Sequence, residues 1–426
     1  MLDIHAIREN PDAIRANLAR RRAPEKLQFL ETVIAADGDW RRRLQELQDL
    51  RRRRNAVSQD IAKLLKDGKD ASAAKREAAE LPDRIRALET TVDELRTKVD
   101  DAIMRLPNLL HESVPDGAGP EDNVEIRRWG EPKAPDFPLK PHGELVEALG
   151  IGDFERARKA AGAGFVYLMG DLVLLDQALL AFVLKLLVSR GFTPVFPPFM
   201  LRRSAYQGVV DLKDFEDVMY KIQGEDAFLI ATSEHPMAAM FQDEILDEAR
   251  LPIKFAGLAT QFRKEIGAHG VDTKGLFRMH QFNKIEQFVF SKPEDSWTIH
   301  EHLLANAEAV YQALEIPYHV ICLCSADTGP VMAKTYDIEA WFPRQNGYRE
   351  VISCSNAIDY QARRLNIRVG KSGGDKRLVH TLNSTAVATS RALVAILENY
   401  QNPDGTVTVP KVLREFVGKD VIGKPA

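Results

Sequence analysis

Two neighbouring runs of the sequence hold side chains able to grip a nucleotide together. Phe262-Arg263-Lys264-Glu265 reads as a strand, residues 266–275 as a polar, glycine-bearing loop, and Leu276 to Phe290 as a returning strand. In an antiparallel hairpin, side chains two residues apart share a face. Arg263 and Glu265 then project together, and so do Phe282, Lys284, Glu286 and Phe288. An arginine so placed binds phosphate through its rigid donor fork. An aromatic ring can stack on a base, and a carboxylate can accept from an adenine amino group or a substrate ammonium. Each residue also has a plainer use. Arg263, Glu265 and Glu286 suit a structural ion-pair network, Phe282 suits a core, and Ser353, Asn383 and Thr385 suit turns or caps. Other nucleotide sites are weaker: Gly370-Lys371-Ser372 ends like a phosphate-binding loop, but Leu365 stands where its first glycine belongs. No Gly-x-Gly-x-x-Gly follows a strand, so any nucleotide is held by side chains projecting from a sheet.

The elements that must position these residues are legible in outline. Leu81, Ile85, Leu88, Val92, Leu95, Val99, Ala102 and Leu106 recur at steps of four and three, as do Leu47, Leu50, Arg54, Val57, Ile61 and Leu64. Such seams belong to helices packed on helices. Asp67-Gly68-Lys69-Asp70 is a turn signal between them, which predicts an antiparallel hairpin arm over about 27–106, its return helix starting or bending near Pro82. Between Arg41 and Lys69 lie ten basic and four acidic side chains, although the whole chain of 426 residues carries a formal net charge of −4. A basic stripe of this kind attracts phosphate backbones, or is simply the solvated face of a coiled coil.

A Pro/Gly-rich passage from Pro107 to Pro141 reads as a linker. Beyond it, helical patterns (Leu172 to Ser189, His300 to Leu314, Thr385 to Asn399) alternate with apolar runs such as Phe282 to Phe290 and Tyr318 to Leu323. These predict a mixed domain built on a sheet. The apolar stretch 172–188 contains Asp176, Gln177 and Lys185 and reads as a buried helix, so no membrane association is expected. The N-terminus has no secretory pattern. Cys322, Cys324 and Cys354 are too few and wrongly spaced for a zinc site, and no zinc is expected.

Three blocks in order resemble one family. Gly191-Phe192-Thr193-Pro194-Val195-Phe196-Pro197-Pro198 resembles motif 1 of the class II aminoacyl-tRNA synthetases. Phe262-Arg263-x-Glu265 followed by Arg278-x-x-x-Phe282 resembles motif 2, and Leu382-Asn383-Ser384-Thr385 up to Arg391 resembles motif 3. Thr232-Ser233-Glu234, the run from Asp272 to Phe282, Tyr336-Asp337-Ile338-Glu339 and Asp359-Tyr360-Gln361-Ala362-Arg363-Arg364 look like blocks of the seryl branch. The resemblance covers essentially the whole chain. Asn383-Ser384-Thr385-Ala386 and Thr232-Ser233-Glu234-His235-Pro236 resemble the archaeal and eukaryotic variant. Ala163-Gly164-Phe165 lacks an arginine frequent in the family, and Ser355-Asn356-Ala357-Ile358 replaces a frequent Cys-Thr pair.

The resemblance implies an α+β fold: an antiparallel helical coiled-coil arm within an N-terminal tRNA-binding domain (1–112), a linker (113–140), and a class II catalytic domain (141–426) on a mainly antiparallel sheet flanked by helices. It implies a cytoplasmic homodimer that joins L-serine to tRNA(Ser) with ATP and Mg²⁺, with tRNA(Sec) a second acceptor where the host has one. By position, Arg263 contacts the α-phosphate and the serine carboxylate, and Glu265 accepts from the adenine amino group. Arg278 holds the γ-phosphate, and Phe282 and Arg391 sandwich the adenine. Lys264, Met279, Val351 and Ile352 complete the ATP site, and Glu350 and Ser353 bind Mg²⁺. Glu286 and Thr232 take the serine ammonium; Asn383, Thr385 and Glu234 surround its hydroxyl. Arg263 and Arg391 are the implied catalytic residues, and Arg41, Arg42, Arg51, Arg52, Arg53 and Lys63 the tRNA contacts. His269 and His280 tempt a general-base reading, but the implied reaction demands no base there. A carrier-protein ligase on the same core, a tRNA-binding protein with a dead site, and a specialised paralogue are the competing readings. The arm argues against the first, and Arg263, Glu265, Phe282 and Arg391, all present, against the second.

Overall fold

The computed structural model describes residues 1–265, 275–370 and 374–423, the side chain at 214 excepted. The parts of the glycine-bearing loop at 266–274, with His269 and the block Asp272 to Lys274, lie outside the described residues, as do Lys371 and Ser372. The chain forms two compact units, Met1–Pro107 and Asn108–Ala426.

In the first unit, α1 (Pro24–Lys66) and α2 (Ser72–Ile103) form the arm. They pack through a seam in which Leu47, Ile85 and Val92 are buried and Trp40, Leu44, Leu50 and Leu88 close the flanks. Gly68 supplies the positive φ of the turn, and the Asp70 carboxylate accepts from the Ser72 amide at 2.9 Å as α2 begins. The return helix neither starts nor stops at Pro82, which lies inside it. A mid-helix proline costs about 3 kcal/mol. Leu81 and Ile85, both buried beside it, each recover about 1.5–3 kcal/mol by leaving water.

The second unit is organised by an eight-stranded sheet. Its strands are β1 (Val124–Trp129), β2 (Thr193–Val195), β3 (Ile253–Phe262), β4 (Gln281–Ser291), β5 (Tyr318–Cys322), β6 (Lys334–Phe342), β7 (Gly347–Ile358) and β8 (His380–Ala388). Their order across the sheet is β1-β5-β6-β7-β8-β4-β3-β2, antiparallel except for the β3–β2 pair. Two sequence expectations change here. The passage expected to be a linker contains β1, an edge strand whose Glu125 and Arg127 are anchored to His319 (2.8 Å) and Glu308 (2.6 Å). Its alternating charges suit an exposed edge that must not pair further. The preceding Asn108 also belongs to this unit, its amide donating to the Val331 and Ala357 carbonyls at 2.9 and 2.8 Å.

The sheet separates two cores. On one side α3 (Asp171–Ser189), α4 (Ser296–Ala313) and α5 (Thr389–Asn399) cover Ile285 and Val289 of β4. Thr385 to Ala388, expected to open the last helix, end β8 instead. By length and composition alone α3 could cross a membrane. It is nevertheless a core helix: Leu172, Leu175, Leu179, Val183 and Leu187 are buried, and Asp176 accepts from Asn283 of β4 at 2.9 Å. On the other side Phe288 and Phe290 pack with Tyr206, Phe228 and Met237. The alternation along β4 therefore sends odd positions to the helices and even positions to the second core and the cavity beside it.

Candidate active site

The cavity has a volume of about 530 Å³ and is floored by β4, β7 and β8. From β4 come Phe282, Lys284 and Glu286, spaced by twos on one face. Opposite them, β8 pairs Thr385 with Glu286 and Ala388 with Lys284, a step of three facing a step of two. The extra residue, Ala386, is a β-bulge, and it keeps Asn383, Thr385 and Ala388 all on the cavity. A second bulge does the same for β7. Ile352 pairs with Ile338 and Glu350 with Glu339, leaving Val351 as the extra residue. Glu350 and Ser353, three apart and so on opposite faces of a regular strand, both reach the cavity.

The remaining walls are set by close packing. Ser233 donates to the Gly257 carbonyl at 3.1 Å, and a β-carbon on Gly257 would lie 2.5 Å from Met237. Glycine at this position lets the segment that carries Thr232 and Glu234 approach β3 closely without displacing the Met237 side chain. Beyond the end of β3 at Phe262, Arg263 keeps one backbone bond across to the His280 carbonyl at 3.0 Å, and its side chain stays with Glu265, Nε donating to Oε1 at 3.1 Å. Arg278 Nη1 reaches the other oxygen of Glu265 at 3.5 Å. The Arg263 guanidinium lies 5.9 Å from the Phe282 ring centre, within cation–π range. Arg391 Nη1 is bound to Glu350 Oε1 at 2.9 Å, with its guanidinium 5.4 Å from the Phe277 ring centre. Three arginines are thus held by carboxylates beside an aromatic platform, an arrangement matched to a planar base and a polyanion.

Deeper in, charge is concentrated away from water. Lys284 Nζ lies 2.6 Å from Glu286 Oε2 and 2.6 Å from Thr232 Oγ1. Thr385 Oγ1 donates to the same Glu286 oxygen at 3.2 Å. Burial raises the Glu286 carboxyl above its ordinary range despite the pull of Lys284. Burial, then the charge of Glu286, pushes Glu234 up to about 7. Glu234 Oε1 accepts from Gln361 at 2.8 Å, and Gln361 accepts from Thr381 at 2.6 Å. Burial lowers His235 to about 3, keeping it neutral. Asp337, opposite Ser353 in the ladder, is raised well above its usual range by burial and by Glu350, and its Oδ1 has no partner among the described residues.

Comparison with known proteins fits this geometry. Residues 1–110 match the seryl-tRNA synthetase N-terminal domain, and residues 218–400 the tRNA synthetase class II core domain (G, H, P, S and T). A serine–tRNA ligase of Methanoregula boonei is 57% identical, the match covering 98% of this chain and 99% of the relative. The crystal structure of seryl-tRNA synthetase from Pyrococcus horikoshii complexed with ATP superposes with a TM-score of 0.96 at 46% identity, over 100% of both chains. That of the cytoplasmic serine–tRNA ligase from Naegleria fowleri in complex with AMP gives 0.91 at 34% identity, over 100% of this chain and 99% of the other.

The chain belongs to the seryl-tRNA synthetase family. It places most of the sequence-predicted residues on one cavity. Thr232, Glu234, Arg263, Glu265, Met279 and Phe282 line it, with Glu286, Glu350, Val351, Ser353, Asn383, Thr385 and Arg391. Others point elsewhere. Ile352, on the far side of the bulge, is buried in the helix-side core. The Lys264 ammonium lies over the Tyr220 ring at 5.6 Å, and among the described residues Arg278 is tied to the cavity through Glu265. His280 hydrogen-bonds through Nδ1 to the Tyr220 hydroxyl. On the arm, all five of the expected tRNA-contacting arginines form ion pairs: Arg41–Asp37, Arg42–Asp39 and Arg52–Asp49 along α1, and Arg51–Glu89 and Arg53–Glu77 across to α2. Sequence reasoning missed Lys284 and Asp337. The first stood in plain view, a lysine between Phe282 and Glu286 on one strand face; the second is one residue of a block quoted only for its resemblance.

Proposed function

We propose that the cavity binds ATP and L-serine side by side and couples them as seryl-adenylate, from which the seryl group passes to tRNA(Ser). The observation that carries this reading is one strand face bearing an aromatic platform, Phe282, and a buried carboxylate, Glu286, with Arg263 beside the ring and Arg278 and Arg391 held by carboxylates of the same cavity. Adenine stacks on Phe282 with Arg391 above it, and Glu265 accepts from its amino group. Arg263 faces both the serine carboxylate and the α-phosphate, and Arg278 takes the γ-phosphate. Glu286 and Thr232 hold the serine ammonium, while Asn383 and Thr385, with Glu234 nearby, meet its hydroxyl. A serine carboxylate oxygen bonds to the α-phosphorus as the bond to the bridging oxygen of pyrophosphate breaks. A terminal ribose hydroxyl of tRNA then attacks the seryl carbonyl carbon, loses its proton and expels AMP. Positioning and fixed charge carry both steps.

Glu350 and Ser353 suit Mg²⁺: both offer hard oxygens, the bulge at Val351 turns them to one side, and Asp337, the ladder partner of Ser353, keeps an oxygen with no partner among the described residues. When bound there, the ion would neutralise phosphate charge. The exposed arginines of the arm would track the tRNA backbone by exchanging their ion pairs, each worth about 0–1 kcal/mol, for phosphate contacts. Val173, Leu174 and Val188 of α3, with Phe196 and Met200, are apolar and exposed, as a homodimer contact around motif 1 would require. Serine-dependent exchange of pyrophosphate into ATP tests the reading. It fails if another amino acid supports exchange and serine does not.

A further inference from the structure

Lys284 stands where the serine ammonium is expected. Its Nζ is 2.6 Å from Glu286 Oε2 and 2.6 Å from Thr232 Oγ1, the two groups assigned to that ammonium. The pair is largely shielded, with side-chain exposures of 12% for Lys284 and 3% for Glu286. Two ammonium groups cannot share one buried carboxylate oxygen at hydrogen-bond distance without strong repulsion. Whichever Glu286 oxygen it takes, a serine ammonium held also by Thr232 meets Lys284 Nζ at Thr232 Oγ1, and the repulsion favours movement of Lys284. The lysine stem is four flexible carbons, and it is rooted on β4 midway between Phe282 and Glu286, about 7 Å from each along the strand. That root lies under the stretch between base platform and ammonium pocket, where the serine carboxylate and the α-phosphate must meet.

We infer that Lys284 is a resident stand-in for the substrate ammonium: serine displaces it from Glu286 and Thr232, and the freed ammonium turns to the carboxylate and α-phosphate that are about to react. In the empty site Lys284 neutralises Glu286. In the loaded site it joins Arg263 at the reacting centre, so that the second cation arrives only when serine does. This rests on the assignment of the serine ammonium to Glu286 and Thr232.

The test uses the full-length protein with Lys284→Met, which keeps the length of the stem without its charge, and Lys284→Arg, which keeps the charge. Serine affinity is measured by calorimetry without ATP, and kcat by pyrophosphate exchange. With nothing to displace, Lys284→Met should bind serine several-fold more tightly, while kcat falls by about 10²-fold for want of the cation. Lys284→Arg should recover part of kcat. A purely structural lysine predicts the opposite split, weaker serine binding with kcat little changed, and that result overturns the inference; so does an unchanged kcat in Lys284→Met. If Lys284→Met unfolds, the Arg variant and Lys284→Gln supply the same comparison. Glu286→Gln separates the two layers. If it leaves the serine KM unchanged, the ammonium assignment fails; if it raises that KM while Lys284→Met shows no split, only the displacement fails.

Discussion

Replacing Glu286 by glutamine changes one charge and almost no volume, so its effects can be worked from the structure. Glu286 Oε2 receives hydrogen bonds from Lys284 (2.6 Å) and Thr385 (3.2 Å) on a side chain only 3% exposed. Breaking a buried ion pair by removing one partner costs about 3–5 kcal/mol. The lower end applies, because Thr232 still accepts from Lys284 and the cavity admits water. Folding stability should therefore drop by about 3 kcal/mol, read as a fall in the urea midpoint. For the substrate, a charge-assisted hydrogen bond becomes a neutral one, a loss of about 1.5–3 kcal/mol. That is about 10- to 150-fold in kcat/KM for serine, with the ATP KM within about twofold because Phe282 and the arginines are untouched. Adding Lys284→Met removes the stranded charge, so the double variant should regain most of the lost stability without restoring the charge-assisted contact to the serine ammonium. Exchange kinetics at varied serine and at varied ATP, alongside the urea midpoints, decide the matter. A serine KM equal to that of the parent enzyme would refute the reasoning about the pocket; additive stability losses would refute the pairing.

Three further outcomes are expected. Phe282→Ala removes the base platform, worth about 1–3 kcal/mol, and should raise the ATP KM by about tenfold or more while shifting the serine KM far less, as steady-state exchange will show. Deleting residues 30–105 should leave serine-dependent exchange within a few-fold and lower tRNA charging by orders of magnitude. The milder quadruple change of Arg51, Arg52, Arg53 and Lys63 to alanine should flatten the salt dependence of tRNA binding by up to about 3 in log–log slope; charging unchanged by the deletion would make the arm merely structural. The carboxyl of Glu234 is raised to about 7 in the fold against about 4.3 when free, so folding takes up its proton. Its favourable contribution is complete below about pH 4 and is lost as pH climbs through 7. Glu234→Gln should remove up to about 3 kcal/mol of that decline, less where water screens the cavity, which urea midpoints at pH 5 and pH 8 will report.

How much of this was legible beforehand depends on the kind of information each feature needs. The arm was, because a seam of Leu81, Ile85, Val92 and Val99 is a one-dimensional pattern that survives folding unchanged. Pro82 misled for the same reason: a local breaker says nothing of the seam on either side of it. β1 hid in a Pro/Gly-rich passage since an edge strand needs charge rather than apolar alternation, and its partners Glu308 and His319 lie far along the chain.

The site residues show a sharper limit. Strand periodicity alone puts Glu350 opposite Ser353 and Thr385 opposite Ala388, so strict alternation would have kept Glu350 from Ser353 and emptied half of the β8 wall. Bulges at Val351 and Ala386 reverse both assignments, and a bulge has no reliable mark in a single sequence. Resemblance found Glu350 and Ser353 without knowing why they face together; the ladder register supplies the reason. Lys284 is the converse case. Alternation placed it correctly on the face with Phe282 and Glu286, yet carrying roles over from a family reports what touches substrate, not what occupies the pocket before substrate arrives. A buried carboxylate must be paired or take up a proton, and Lys284, two residues away on the same face as Glu286, is the cation on its strand that can pair with it.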